Sequence, residues 1–201
     1  MGYGTLGQKI VEAGALYQGL DISDGPVDMM NHRLQVMSLP KTAKRGSMLQ
    51  CPFADGAFDA VVSIGCFHHT GDLLQCIKET CRVLKPAGHA YIMVYNKYSY
   101  RNWLSWPLAT LKAMFAVQNQ TATREQRATY DTDSRGNAAP ETTFVSIGEL
   151  QEMFRLFSEF SAIKKNCGGF SPFGIPVLPR KLLLKLIGPV CGLDIYVKAK
   201  K

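Results

Sequence analysis

Apolar positions along the chain change their spacing several times, and each change predicts an element. Residues 8–13 read as a helix stopped at Gly14, where a residue free to turn left-handed can close the last turn. Residues 16–22 read as a strand that closes on Asp21, and residues 24–36 as a helix with Pro26 in its first turn. A polar turn over 41–46 and a very short strand at 48–50 follow. Residues 59–65 form a continuous apolar run, the pattern of a parallel strand buried on both faces. Leu73, Ile77, Cys81 and Leu84 lie at helical spacing within 72–84, and Pro86-Ala87-Gly88 ends that helix. A second buried strand occupies 89–95.

The later half is less regular. Leu104, Leu108, Leu111 and Phe115 make one stripe along 103–117, kinked or started at Pro107. Residues 118–143 are polar, rich in turn formers, and read as a long loop of the kind that carries function or lacks order. Ser146 and Glu149 have capping-box spacing for a helix to about Phe157. Residues 160–165 and 193–198 are the last two strands, with a basic apolar helix over 179–187 between them. Strand and helix alternate through residue 96. That order predicts an α/β fold: an open, mostly parallel sheet, helices on both faces, and an antiparallel C-terminal strand pair. Ligands of such sheets bind at the carboxyl ends of the strands.

Composition narrows the class. With 201 residues, 46% hydrophobic and 19% charged, the chain is long enough for one domain with a real core and is not a disordered polyelectrolyte. No apolar run reaches the roughly 18–20 residues of a membrane span, and no signal-peptide pattern follows Met1. The six cysteines, 51, 66, 76, 81, 167 and 191, include no Cys-x-x-Cys pair, so the expected compartment is the reducing cytoplasm. The net charge of +7 is uneven: residues 164–201 hold eight basic residues against Asp194 alone. Such a tail suits a solvated face first. Nucleic acid, an acidic substrate or an anionic membrane surface are its alternative partners.

Two features then suggest a nucleoside cofactor. Gly2-Tyr3-Gly4-Thr5-Leu6-Gly7 runs directly into a helix, and glycines let a backbone approach a ligand closely. Asp21, at the end of the next strand, is placed as the carboxylate that accepts from a ribose diol; it equally suits a turn over 21–26. The third feature is a long block. It includes Gly46-Ser47-Met48, Pro52-Phe53-Ala54-Asp55-Gly56-Ala57-Phe58-Asp59-Ala60-Val61-Val62-Ser63, Phe67-His68-His69, Glu79 and Arg82-Val83-Leu84-Lys85-Pro86-Ala87-Gly88. Over residues 2 to about 97 the chain resembles the class I S-adenosylmethionine-dependent methyltransferases, of the methyltransferase-domain type 11 kind. Ala87 departs from the Gly of that family's Arg-Val-Leu-Lys-Pro-Gly-Gly motif.

The resemblance implies S-adenosyl-L-methionine as cofactor and a Rossmann-like fold over a single domain, 1–201. Residues 1–97 would be the cofactor-binding half and 98–201 the acceptor side. It implies that Gly2 and Gly4 wrap the methionine portion, Asp21 holds the ribose, and Ile22 flanks the adenine. Ser47 and Met48 stand where the family commonly has Asp-Ala against the adenine ring. Ser63 and Ile64 fall near the cofactor's amino-acid end. His68 and His69 are candidates for a general base, an imidazole being able to take a proton near neutral pH. No metal site is read from them, since no third ligand follows at a sensible spacing. Tyr95 and Asn96, leaving the fifth strand of the family's sheet, are candidates to line the acceptor pocket.

The resemblance also implies a hydrophobic strand before the glycines, central in the family's sheet. Here only Met1 precedes Gly2, so the first central strand is expected to be missing and the chain to be truncated at its N-terminus. The expected function is methyl transfer to an unidentified small-molecule acceptor. The alternative is an inactive or binding-only truncated fragment. Nucleic acid is a weaker expectation as partner, and contact of 179–187 with a membrane surface a further one.

Overall fold

A left-handed backbone at Gly4 (φ 75°) starts the first helix, α1 (Thr5–Glu12). Any side chain there would be strained by that φ, and its Cβ would lie 2.9 Å from the Met30 sulfur, so glycine is required on two counts. The computed structural model describes residue 2 and residues 4–115, 122–132, 136–167 and 180–201. The chain divides into two compact units, Met1–Ala54 and Asp55–Lys201.

The first unit continues with β1 (Gly19–Asp21), α2 (Asp24–Val36) and β2 (Ala43–Arg45). The two strands pair in parallel, with Asp21 opposite Arg45. Val27, Met30 and Leu34 recur on one face of α2 and bury against Ala43, with Val11 and Tyr17 packed on that core. From the same helix, the Asn31 amide donates to the Ala43 carbonyl and accepts from the Ala43 N–H, each at 3.0 Å. These two bonds satisfy backbone groups on β2 that no strand takes. The expected polar turn over 41–46 therefore contains a strand. The expected strand at 48–50 is instead a turn of 3-10 helix, because the Ser47 hydroxyl accepts from the Leu49 N–H at 3.1 Å and offers the backbone a local partner. The strand expected over 16–22 shrinks to Gly19–Asp21, leaving Leu16 fully exposed.

The second unit holds β3 (Phe58–Ile64), α3 (Leu73–Val83), β4 (Leu84–Tyr95), β5 (Glu159–Lys165) and β6 (Asp194–Lys200). Strand order is β3-β4-β6-β5; β3 and β4 are parallel, and β6 runs antiparallel to both its neighbours. Ile77 of α3, Leu84, Ile92 and Val94 of β4, and Ile195 of β6 are almost wholly buried, together with Leu150 and Phe154. Residues 86–88 do not separate helix from strand as expected. Leu84 pairs with Phe58 and His89 with Ala60, so the residues between bulge out of β4. β3 is less covered than its apolar run predicts, with Val62 39% and Ile64 44% exposed. Among the described residues β3 pairs only with β4, and β1 only with β2.

Beyond β4 the predicted helix over 103–117 is two helices, α4 (Tyr100–Ser105) and α5 (Pro107–Phe115). Pro107 has no N–H to donate back into α4, so the break falls in front of it. The long segment 118–143 contains α6 (Arg124–Ala128) and a bridge between Thr132 and Ala138. Its residues 118–121 and 133–135 lie outside the described residues, as do 116 and 117 of the predicted helix. α7 (Ile147–Met153) begins at the expected capping box: Ser146 Oγ accepts from the Glu149 N–H, and Glu149 accepts from the Ser146 N–H. α8 (Arg180–Leu186) and α9 (Gly188–Cys191) precede β6; residue 179 of the predicted basic helix lies outside the described residues.

Candidate active site

In the first unit, parallel pairing brings the carboxyl ends of β1 and β2 side by side. Asp21 and the exposed Ile22 leave one strand; Gly46, Ser47 and Met48 leave the other. The Gly46 N–H donates to the Asp21 carbonyl at 2.8 Å and locks that alignment. Asp21 Oδ1 also accepts from the Ser23 N–H at 3.1 Å, the turn role that its sequence context allows. Arg45 donates to the Ile22 carbonyl and pairs with Asp24, which holds the start of α2 against the exit of β2. Gly2 and Gly4 both have positive φ.

In the second unit, Ser63 is buried near the carboxyl end of β3 with its hydroxyl unpartnered, and Ile64 closes the strand, half-exposed. Gly65, left-handed, turns the chain into a 3-10 turn over Phe67–His69. β4 ends beside it on Tyr95. Residues 141–146 run past both: the Thr143 N–H donates to the His68 carbonyl at 2.7 Å, and the Val145 N–H to the Tyr95 carbonyl at 3.1 Å.

These connections assemble a polar cluster that sequence spacing did not reveal. The Tyr95 hydroxyl donates to Asp131 Oδ2 at 2.7 Å, and His69 Nε2 stands 3.3 Å from the same oxygen. His69 Nδ1 faces the Glu141 carbonyl at 2.8 Å. A carbonyl only accepts, so Nδ1 carries the proton there. His68 is fully buried, its ring 4.2 Å from that of His69 and 4.1 Å from that of Tyr95, centre to centre. Tyr130 and Phe144 close the aromatic side, 4.9 and 6.0 Å from Tyr95.

Charge is divided sharply within the cluster. Burial, and then the neighbouring His69, push His68 down to about 3, so it is neutral at ordinary pH. Burial also acts against charge on His69, but the Asp131 carboxylate and the Glu141 carbonyl outweigh it and raise its pKa. Asp131 is held low by the hydrogen bond from His69, against its partial burial, with Tyr95 adding to the effect. Burial and then Asp131 push the Tyr95 hydroxyl up, so it stays a donor. His69 thus has both nitrogens facing acceptors, which disfavours the general-base role expected of it.

Asn96 is wholly buried. Its side chain donates to the Gly192 carbonyl at 2.7 Å and accepts from the Tyr98 N–H at 3.0 Å, tying the exit of β4 to α9. Of the two expected acceptor-side residues, Tyr95 therefore enters the polar cluster and Asn96 serves the backbone. Asp131 was missed because it lies in a polar segment without periodicity, 62 positions after His69.

An open α/β fold with parallel strands whose carboxyl ends carry the polar side chains defines a Rossmann-like protein. Residues 1–92 match the family described as methyltransferase domain. S-adenosyl-L-methionine is the cofactor of that family. Similar curated proteins include an uncharacterized methyltransferase of Schizosaccharomyces pombe, 28% identical over 99 residues, which are 45% of this chain and 35% of that one. A demethylmenaquinone methyltransferase of Corynebacterium kroppenstedtii is 33% identical over 96 residues, 47% of this chain and 39% of its own. A probable tRNA methyltransferase 9B of Homo sapiens is 32% identical over 88 residues, 39% of this chain and 19% of its own. The chain therefore spans well under two thirds of the length of these relatives. Among solved structures, a SAM-dependent methyltransferase from Methanosarcina mazei superposes with a TM-score of 0.62 at 16% identity, covering 100% of this chain and 88% of that one. Among the described residues no helix is long and apolar enough to cross a membrane.

Proposed function

We propose that this chain transfers a methyl group from S-adenosyl-L-methionine to a nucleophilic oxygen, nitrogen or carbon of a small-molecule acceptor. The observation that carries the reading is the alignment of Asp21 and Ile22 with Ser47 and Met48 at the carboxyl ends of two parallel strands. When bound, the cofactor would supply an electrophilic methyl group on its sulfonium.

The chain's own part is binding and orientation. Asp21 accepts from the ribose hydroxyls while Ile22 and Met48 offer apolar surface to the adenine and Ser47 a hydroxyl to its edge. Gly2 and Gly4 let the backbone approach the methionine portion. The family resemblance assigns Ser63 and Ile64 to the cofactor's amino-acid end. Residues 1–97 serve the cofactor and 98–201 the acceptor, except that Tyr95, at the end of β4, joins Tyr130 and Phe144 in an aromatic wall on the acceptor side. Much of the acceleration comes from holding the acceptor in line with the methyl group. The cysteine spacing, without a Cys-x-x-Cys pair, supports the reading of a reducing compartment such as the cytoplasm.

Calorimetric titration of S-adenosylmethionine and S-adenosylhomocysteine into the full chain tests this reading. Micromolar binding of both is expected. A folded chain that binds neither overturns it. Methyl transfer to RNA, with binding that weakens steeply as salt rises, would instead make nucleic acid the acceptor.

A further inference from the structure

We propose that His68, His69 and Asp131 form a binding site for a divalent transition-metal ion of the zinc class. The proposal stands on the second unit alone and does not depend on the methyltransferase reading.

The first ground is proximity. Each residue offers one donor atom, and the three lie within 4.8 Å of one another. An ion about 2.1 Å from each donor needs slightly closer spacing, which small side-chain rotations supply. The second ground is an unmet need. Both ring nitrogens of His68 are buried and have no hydrogen-bond partner. A buried imidazole left so forfeits the hydrogen bonds its nitrogens would have in water. A proton shared by His69 and Asp131 explains the closeness of that pair and leaves His68 as it is. An ion satisfies all three.

The surroundings are those of metal ligands. His69 Nδ1–H is spent on the Glu141 carbonyl, which leaves the Nε2 lone pair facing Asp131. The Tyr95 hydroxyl steadies the Asp131 oxygen. Imidazole ligands that donate their second nitrogen to a carbonyl, and carboxylates that are themselves hydrogen-bonded, are the usual outer shell of such sites. His69 and Asp131 side chains are 25% and 41% exposed, so an ion can enter from their side while His68 closes the rear. Two imidazoles and one carboxylate suit zinc, cobalt, nickel or ferrous iron rather than magnesium or calcium, which prefer oxygen alone. Three protein ligands also leave at least one position open to solvent or to another lone pair.

The chelator-treated 201-residue chain titrated with Co²⁺ and followed by visible ligand-field absorption gives the test, with Zn²⁺ displacing the signal. One ion per chain is expected, with no thiolate charge-transfer band, and the Cys66→Ser variant should bind equally well. Asp131→Asn and His69→Ala should each weaken binding by more than about tenfold, and Tyr95→Phe by about ten- to a hundredfold through the lost support. Zn²⁺ should raise the melting temperature of the wild type and not of Asp131→Asn. Circular dichroism shows whether each variant is folded. A folded wild type that binds no Co²⁺, or binding unchanged in folded Asp131→Asn and His69→Ala, overturns the proposal.

Discussion

Lys97, just past the end of β4, donates to Glu149 Oε1 at 2.9 Å across 52 positions of sequence, with only 9% of the lysine side chain exposed. Glu149 simultaneously caps α7 through Ser146, so one carboxylate holds both the strand exit and the helix start. Burial alone would raise the Glu149 pKa; Lys97 and the Ser146 donors outweigh it and hold it low. Because the folded value is depressed, this stabilisation is present above the unfolded value of 4.5 and is lost as pH falls through the folded one. Glu149→Gln should cost about 2 kcal/mol near neutral pH, since it leaves a nearly buried ammonium without its counter-charge. Denaturant unfolding of both proteins at several pH values should show the gap closing under acid conditions. A gap constant with pH would mean that packing, not charge, accounts for the loss.

Ala87 stands in the left-handed region at φ 63°, in the bulge of β4. Its N–H donates to the Lys201 carbonyl at 3.1 Å and the Lys201 N–H to the Gly88 carbonyl at 3.0 Å, so the chain's end pins that conformation. A side chain with a Cβ loses about 1 kcal/mol or more in such a backbone. Ala87→Gly should therefore stabilise the protein by about 0.5–1 kcal/mol, the glycine's greater unfolded freedom taking back part of the gain. The midpoint of denaturant unfolding measures it; no shift, or a fall, would contradict the strain.

Removal of the Asp21 carboxylate separates binding from folding. The side chain is half-buried at the end of β1 and accepts locally from the Ser23 N–H. Asp21→Ala should weaken S-adenosylmethionine by about 30- to 100-fold, the equivalent of one strong hydrogen-bonded charge contact, while the melting temperature changes little. Undiminished affinity would move the ribose contact elsewhere.

Lysines 164, 165, 181 and 185 surround a groove of about 530 Å³ whose apolar wall includes Ile163 and Leu184. Nearby Leu186 and Val190 are 62% and 68% exposed. Positive charge around exposed apolar side chains suits an anionic lipid surface, each lysine contributing about 1 kcal/mol. Co-sedimentation with vesicles containing phosphatidylserine should exceed that with neutral vesicles. Lys181→Glu with Lys185→Glu should reduce it by more than tenfold. Equal recovery on both vesicle types, or none, would leave the groove a solvated face.

Local chemistry was legible in the chain. The Ser146–Glu149 cap, the break at Pro107, the apolar stripe of α3, the parallel pair β3–β4 and the antiparallel β5–β6 all follow from short-range patterns, because each is decided by neighbours a few residues away or by one buried face. Two short elements escaped: β2 has a single buried residue, Ala43, and so no alternation to read, while at 48–50 the Ser47 cap favours a helical turn over extension.

Sequence by itself determined most of the order of elements, the glycine turn, the acidic end of β1 and the match of residues 1–92 to a methyltransferase-domain family. Tertiary structure alone decided that β6 lies between β4 and β5, that Asn96 is spent on Gly192, and that Asp131 meets His69 and Tyr95. Those contacts join positions from 29 to 111 residues apart by backbone bonds and burial distributed over several elements. No spacing along the chain encodes such a sum, because each partner's own neighbourhood is compatible with many other places in the fold.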